Sequence, residues 1–426
     1  MAQARNRNTN ARTHRRRLFR YACSLALLGA CAALPIVAHA ADATMRSDFP
    51  VAAGANEIQP AWPEDVGVDS GKLVALSEWI RKEKLDVRSF LVVKDDKLIF
   101  ERYGDGLSRD HNYELYSITK MMTSLLAGQL IAEGKVHLDD SIAPILSKWR
   151  PDLKSALADK QDIELRHVLT MSTGLRYTFQ PPNDPIYYTA PDRLKLAVET
   201  QPFLTPGTVF QYMDINPILA AATLSAAAGE PLDQYAEQHL FKPMGLVNAA
   251  WTRADKMGLV SSGWGLRLRA IDMAKIGLLV LHDGKFQDQQ IVPAAWIRQM
   301  TSPGIVPFFG YFWWIRNVLE GGTEGGSQPE YDAMGFKGQF ILVLPAHHAV
   351  VTMTGMLPIE GGLRDATNLQ LFRYMIINYL LPAIEGGTHG PASDDRRAAL
   401  LQELQVSERT TGTPGVAADP TDTPQK

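Results

Sequence analysis

Ser117 and Lys120 stand three apart in the otherwise apolar run "LYSITKMM", residues 115–122. A serine hydroxyl is a poor nucleophile near neutral pH and needs a base within hydrogen-bond reach. If Ser117 opens a helix, Lys120 lies one turn on with its amine on the same face. The helix N-terminus adds backbone N–H groups that favour developing negative charge. Burial among Ile118, Met121, Met122 and Leu125 is expected to lower the Lys120 pKa, because desolvation disfavours the ammonium. The amine would then accept the serine proton. The same two residues also fit a helix cap and a snorkelling lysine, so the pair carries catalysis only in company.

Three further segments supply that company. "IELRHVLTMSTGL" (163–175) reads as a helix ending in a Ser-Thr-Gly turn, with His167 in a structural position. "PGTVFQYMDINPILAA" (206–221) makes a Pro-Gly-Thr turn and then sets Tyr212 and Asp214 ahead of a helix opening near Asn216. "YDAMGFKGQFILVLP" (331–345) is a strand punctuated by glycine. Rival chemistries lack their anchors. There is no Gly-x-Ser-x-Gly elbow, no His-Glu-x-x-His and no clustered ligand spacing among the 10 histidines. His347-His348 reads as a surface turn.

These residues need a scaffold. "VDSGKLVALSEWIRKEK" has helical spacing behind Asp69 or Ser70 as cap. In "VRSFLVVKDDKLIFERYGDG" two β-rich runs flank Asp95-Asp96, a hairpin signal. A helix is expected from Ser117 to Glu133, closed by Gly134. Residues 135–300 read as helix and loop. A second hairpin is expected to pair 338–344 with 349–355, followed by a closing helix in "NLQLFRYMIINYLLPAI". Strands at both ends with helices between them predict an α+β fold: an antiparallel sheet built from both termini, flanked by helices, with an inserted helical lobe. Residues 385–426, rich in Gly, Pro, Thr, Asp and Ala, read as a largely disordered tail with one short helix near Asp394 to Leu404.

The first 40 residues carry seven arginines, no acidic residue, an apolar stretch over about 25–37, and then "AHA". That order predicts an export signal cut after Ala40 and a periplasmic or secreted protein. Arg16-Arg17 resembles a twin-arginine signal. Leu28–Cys31 resembles a lipoprotein site, although further apolar residues and "AHA" follow it. The apolar stretch is too short for a stable membrane span. Taking those seven from the 43 basic residues leaves 36 against 46 acidic ones, a net charge of −10. Nucleic acid is therefore excluded as a partner class. Both cysteines, Cys23 and Cys31, lie in the leader, so residues 41–384, the expected catalytic body, hold no thiol nucleophile or disulfide.

In this order the segments resemble the serine β-lactamase and penicillin-recognising family, particularly its class C, esterase and 6-aminohexanoate-dimer hydrolase branch, over about residues 60–380. The resemblance implies Ser117 as acylated nucleophile, Lys120 as its activator, and Tyr212 as the tyrosine of a Tyr-x-Asn motif that exchanges protons with nucleophile and leaving group. It implies an oxyanion hole from the backbone N–H groups of Ser117 and Phe336. Ala333-Met334-Gly335 falls on the family's Lys-Thr-Gly strand and would contact substrate, with Trp264 as a pocket wall. "PFFGYFWWIR" (307–316) divides between an acyl pocket and core. Two positions depart from the pattern. Asp214 replaces the motif asparagine, where it would repel a substrate carboxylate and stabilise Lys120 as a cation; Asn216 is a candidate substitute amide. Ala333 replaces the cation that binds a substrate carboxylate, with Lys337 a candidate displaced cation. The expectation is a serine hydrolase of small esters or linear amides, with no metal or cofactor implied. A β-lactamase or D-stereospecific peptidase, and a catalytically silent binding protein of this fold, are the alternatives.

Overall fold

Strands from both ends of the chain meet in one seven-stranded sheet. The computed structural model describes residues 57–104, 106–180, 184–251, 254–316, 329–357 and 364–407. Residues 1–56, with the expected export signal, and residues 408–426 lie outside them. The N-terminal strands are β1 (Gln59–Pro60), β2 (Val87–Lys94) and β3 (Lys97–Tyr103), with α1 (Ser70–Lys82) between β1 and β2. Asp69 caps α1 by accepting the Gly71 N–H at 2.9 Å. The β2–β3 hairpin turns on Asp95 and Asp96, both at positive φ (48° and 62°), as a tight two-residue hairpin requires.

β4 (Asn112–Glu114) leads into α2 (Ile118–Ala132), and a helical lobe follows. Its helices are α3 (Ile142–Trp149), α4 (Leu165–Leu169), α5 (Pro185–Tyr188), α6 (Arg193–Val198), α7 (Ile215–Ala228) and α8 (Leu232–Ala236). Strands β5 (Ala250–Trp251) and β6 (Leu266–Arg269) join β4 in a three-stranded sheet of order β4-β6-β5. α9 (Ala270–Leu281), a small β7–β8 hairpin (Lys285–Phe286, Gln289–Gln290) and α10 (Ala294–Met300) return the chain to the main sheet.

The sheet closes with β9 (Trp314–Arg316), β10 (Glu330–Gly335), β11 (Gln339–Leu344) and β12 (Ala349–Gly355). Its order is β1-β3-β2-β12-β11-β10-β9, antiparallel except for the β1–β3 pair. Both faces are buried, so the central strands are continuous apolar runs. Phe90, Val92, Phe340, Leu342, Val351 and Met353 face α1 and the C-terminal helices. Leu91, Val93, Ile341, Val343 and Val350 face α2, α9 and the lobe.

α2 is the central helix. Thirteen of its 15 residues are buried, which explains an apolar run with no polar face. α7 packs beside it, its first 11 residues buried as well.

The expected tail is partly a correction. After α11 (Arg364–Met375) and α12 (Leu381–Glu385), helix α13 (Asp394–Ser407) lies on α1, burying Leu400 and Leu404. Glu403 grips Arg81 through two hydrogen bonds of 2.9 and 2.7 Å. Composition misled because the polar loop before α13 obscures two leucines, one turn apart, that complete the core under α1. Among the described residues no helix is long and apolar enough to cross a membrane.

Candidate active site

Ser117 sits where β4 gives way to α2. The Leu115 N–H donates to Leu266 O at 2.9 Å, and Glu114 accepts the Gly265 N–H at 2.8 Å. Thr119 Oγ1 accepts the Leu266 N–H at 3.3 Å, so the turn is tied to the start of β6 on both sides. Tyr116 carries the chain round with φ of 48°, an uncommon conformation for a non-glycine residue. Ser117 then occupies the N-cap of α2 with helical angles and no side-chain capping bond. Its hydroxyl is not engaged in capping; it faces Lys120.

The Lys120 side chain is fully buried. Its Nζ lies 2.9 Å from Ser117 Oγ, 3.0 Å from Gly263 O and 2.7 Å from Asp214 Oδ1. It also stands 5.0 Å from the centre of the Tyr212 ring. Burial disfavours the ammonium, but Asp214 and Tyr212 outweigh burial and hold the Lys120 pKa above the ordinary lysine value. The expected downward shift is therefore corrected. A carboxylate in ion-pair contact overrides desolvation, and Lys120 rests as a cation.

Tyr212 and Asp214 come from the loop ahead of α7. That loop is held by the Gly207 N–H on Ser172 O (2.8 Å) and the Gln211 N–H on Met171 O (2.7 Å), which gives the Ser-Thr-Gly turn its role. The Tyr212 hydroxyl engages Ser117 and Lys120, and burial of that end, with Asp214 adding to it, keeps the phenol protonated. The outer part of the ring is open to solvent. Asp214 accepts on Oδ2 from Tyr187 of α5. Burial, then Asp214, raises the Tyr187 pKa far above the phenol range, so it is a neutral donor. Tyr187 was not foreseen, because nothing in the spacing of "DPIYYTAPDR" relates it to Ser117.

Asn216 is not part of this group. It is fully buried, accepts from Thr173 Oγ1 at 2.7 Å and points its amide towards Met171 and Gln211 O. One residue beyond the start of α7, it faces the core and joins the Ser-Thr-Gly turn to the helix. Trp264 also stands back. It is 5% exposed and packs behind Tyr187, ring centres 4.6 Å apart, with the Arg193 guanidinium 5.4 Å from its ring.

The β10 strand brings the third segment in. Ala333 is fully buried in the core on the α2 side. Strand alternation sends Met334 to the opposite face, against the α1-side core, so its side chain does not approach Ser117. A Cβ at Gly335 would stand 2.3 Å from Leu115 O. Only glycine lets the end of β10 lie against the chain two residues before Ser117. The next residue, Phe336, meets Tyr116 edge to face at 5.5 Å. Lys337 is in the turn after the strand, at φ of 64°, rather than on the Ala333 face. Its Nζ lies 6.0 Å from the Tyr116 ring centre and 5.8 Å from that of Phe336.

Aromatic rings flank the group. Tyr212 stacks on Trp314 at 5.6 Å, with Phe210 and Phe309 packed around them, and Phe179 meets Tyr187 at 5.9 Å.

This sheet, this central helix and the convergence of Ser117, Lys120 and Tyr212 define a hydrolase of β-lactamase type. Residues 84–371 match the family described as Beta-lactamase, and the chain belongs to it. Over 80% of its length it is 23% identical to the "Putative D-alanyl-D-alanine carboxypeptidase" of Escherichia coli O157:H7, covering 93% of that protein. Among solved structures it is similar to the "Putative 6-aminohexanoate-dimer hydrolase from Bacillus anthracis" (TM-score 0.60, 18% identity, 76% of this chain and 87% of that one). It is also similar to "EstCE1, a hydrolase with promiscuous acyltransferase activity" (TM-score 0.57, 19% identity, 72% and 99%). At these identities the solved structures speak to fold alone.

Proposed function

We propose that this chain is an exported serine hydrolase that forms an acyl-enzyme on Ser117 and acts on ester or linear amide carbonyls. The observation that carries the reading is the 2.9 Å contact between Ser117 Oγ and a fully buried Lys120, with Tyr212 engaging both. Ser117 Oγ bonds to the carbonyl carbon as the carbonyl electrons move onto oxygen, where the Ser117 and Phe336 N–H groups would receive them. The serine proton passes to the Lys120–Tyr212 pair and on to the leaving group, and water then releases the acid. Because Lys120 rests as a cation, it must lose a proton before it can accept one.

The substrate preference rests on Ala333. An uncharged, fully buried side chain there forgoes a charge-assisted contact to a carboxylate, worth about 2 kcal/mol. A D-alanyl-D-alanine carboxypeptidase is the second reading, favoured by the names of the curated relatives and by the Lys337 ammonium beside Tyr116.

Intact-mass detection of an acyl adduct across p-nitrophenyl butyrate, a linear amide, nitrocefin and a D-Ala-D-Ala peptide tests both. Ester turnover, with fluorophosphonate labelling lost in Ser117→Ala, is the expected result. Efficient nitrocefin or peptide turnover with negligible ester turnover overturns the preference. No adduct and no labelling of the folded protein leaves a silent binding protein. Export follows from the basic-apolar-"AHA" order at the N-terminus and is checked by the mass of the protein recovered from the periplasm, expected to begin at Ala41.

A further inference from the structure

A line of contacts runs from the nucleophile into a loop that plays no part in the chemistry outlined above. Ser117 Oγ meets Lys120 Nζ at 2.9 Å, Nζ meets Asp214 Oδ1 at 2.7 Å, and Asp214 Oδ2 accepts the Tyr187 hydroxyl. Tyr187 is set by α5, a single helical turn whose cap, Asp184, is itself fully buried and bonded to the Ile186 N–H at 2.9 Å. Its ring is clamped between Trp264 and Phe179. So placed, the phenol serves the Asp214 carboxylate, and that carboxylate meets the Lys120 ammonium.

We propose that Asp214 locks Lys120 in its ammonium form and that Tyr187, a positioning residue bonded to that carboxylate, moderates the lock, so that the reactive amine appears only as pH rises. The proposal rests on the serine-hydrolase reading above and adds what governs it. When Lys120 gives up its proton, the Asp214 carboxylate loses its cation and depends on its remaining donor. The hydroxyl of Tyr187 stabilises that state; the anion of Asp214 disfavours it. The two residues thus act on the same step with opposite signs.

The other charged and titratable groups around the pair are accounted for. Tyr212 stays a neutral phenol and Gly263 contributes only a carbonyl. Asp184 also acts on Tyr187 and is engaged by Tyr177, whose phenol is kept protonated by burial and then by Asp184, with Asp214 adding to it. Arg193 sits behind the Trp264 ring. Glu114 is held by the Gly265 N–H, and Lys337 lies over Tyr116 on the other side of Ser117.

The signs follow from these positions. Asp214→Asn removes the anion and leaves a fully buried lysine, whose pKa must then fall because desolvation disfavours its charge. Tyr187→Phe keeps the ring packing but leaves the carboxylate without its second donor, so losing the lysine proton costs more. The first variant should move the rising limb of reactivity to lower pH, and the second should move it to higher pH.

The experiment is the rate of fluorophosphonate labelling of Ser117, followed by intact mass from about pH 5 to 11 in the full chain and both variants. Labelling reads nucleophile activation without requiring turnover of an unknown substrate. The expected result is a wild-type limb in the alkaline range and an Asp214→Asn limb lower by about one pH unit or more. At a pH below the wild-type limb, that is about tenfold faster labelling relative to each protein's own plateau. A merely structural role for Tyr187 would lower the plateau without moving the limb. Coincident limbs in all three proteins, or an Asp214→Asn limb displaced upward, overturn the proposal. Should Asp214→Asn fail to fold, the sign of the Tyr187→Phe shift decides alone. Absence of labelling of wild type at every pH would instead refute the hydrolase reading, so the two failures are distinct.

Discussion

Gly335→Ala tests the approach of β10 to Ser117. The added Cβ would lie 2.3 Å from Leu115 O and 2.9 Å from Gln339 Cβ, where ordinary contact begins at 3.4 Å. About 1 Å must be absorbed, and neither neighbour yields easily. Leu115 is fixed by its N–H on Leu266 O at 2.9 Å, and Gln339 pairs with Gly335 in the β10–β11 register while its amide holds Gly355 O at 2.6 Å. Overpacking of this kind costs about 1–3 kcal/mol. In a body of this size that is a melting-temperature loss of about 2–6 °C. The chemical effect should be larger in proportion, because the shift separates Phe336 from Ser117. A misplacement of about 1 Å costs on the order of 100-fold in rate, or about 2.7 kcal/mol of transition-state stabilisation. The assays are differential scanning fluorimetry and kcat/KM on p-nitrophenyl butyrate, with the loss expected mainly in kcat. An unchanged melting temperature would refute the close approach. A lowered melting temperature with unchanged kcat/KM would remove Phe336 from the reacting centre.

Two further outcomes follow from burial. Asp332 is 1% exposed, neither of its oxygens accepts a hydrogen bond from a described residue, and Arg316 lies 3.6 Å away. Burial raises its pKa above the carboxylate value despite Arg316. The folded state therefore binds this proton more tightly than the unfolded chain, and stability falls as pH rises from the unfolded value of about 3.9 through the folded one. Asp332→Asn should gain on the order of 1 kcal/mol at pH 7 in urea melts and less at pH 4; equal effects at both would refute the assignment. Leu404→Ala, at 2% exposure under α13, should cost about 2–4 kcal/mol in the same melts while leaving the labelling rate of Ser117 unchanged. A neutral result would make α13 a loosely attached helix.

The scaffold was legible in the sequence because its signals are local. Asp95-Asp96 marked the first hairpin and two apolar runs marked the second. Asp69 marked the start of α1 and Gly134 the end of α2. The grouping of Ser117, Lys120 and Tyr212 was legible only through the order of three segments along the chain, and the folded chain brings these side chains together. What stayed hidden depends on direction in space. Met334 and Asn216 both point away from Ser117. In a strand one residue reverses the side chain, and at a helix start it turns it by about 100°, so direction is settled by register and helix phase, which no single segment contains. Tyr187 reaches Asp214 from a loop 27 residues earlier, through a contact that only the folded lobe creates.

The two departures from the motif are best understood together. With asparagine at 214 and lysine at 333, such a site would carry a cation at 333 and no carboxylate at 214 to repel an anion. Here Asp214 neutralises Lys120 at 2.7 Å, and Ala333 contributes no charge. Lys337 lies in the β10–β11 turn over two aromatic rings. Restoring only one charge should therefore not recover an anion site. Ala333→Lys would place an ammonium in a fully buried position packed by hydrophobic side chains, with no partner provided, at a cost of several kcal/mol. Asp214→Asn would free Lys120 of its counter-ion but let burial strip its proton, leaving no cation for a carboxylate to meet. Each change is unfavourable or ineffective without the other. That coupling supports the proposed preference for neutral ester and amide groups over carboxylate-bearing substrates.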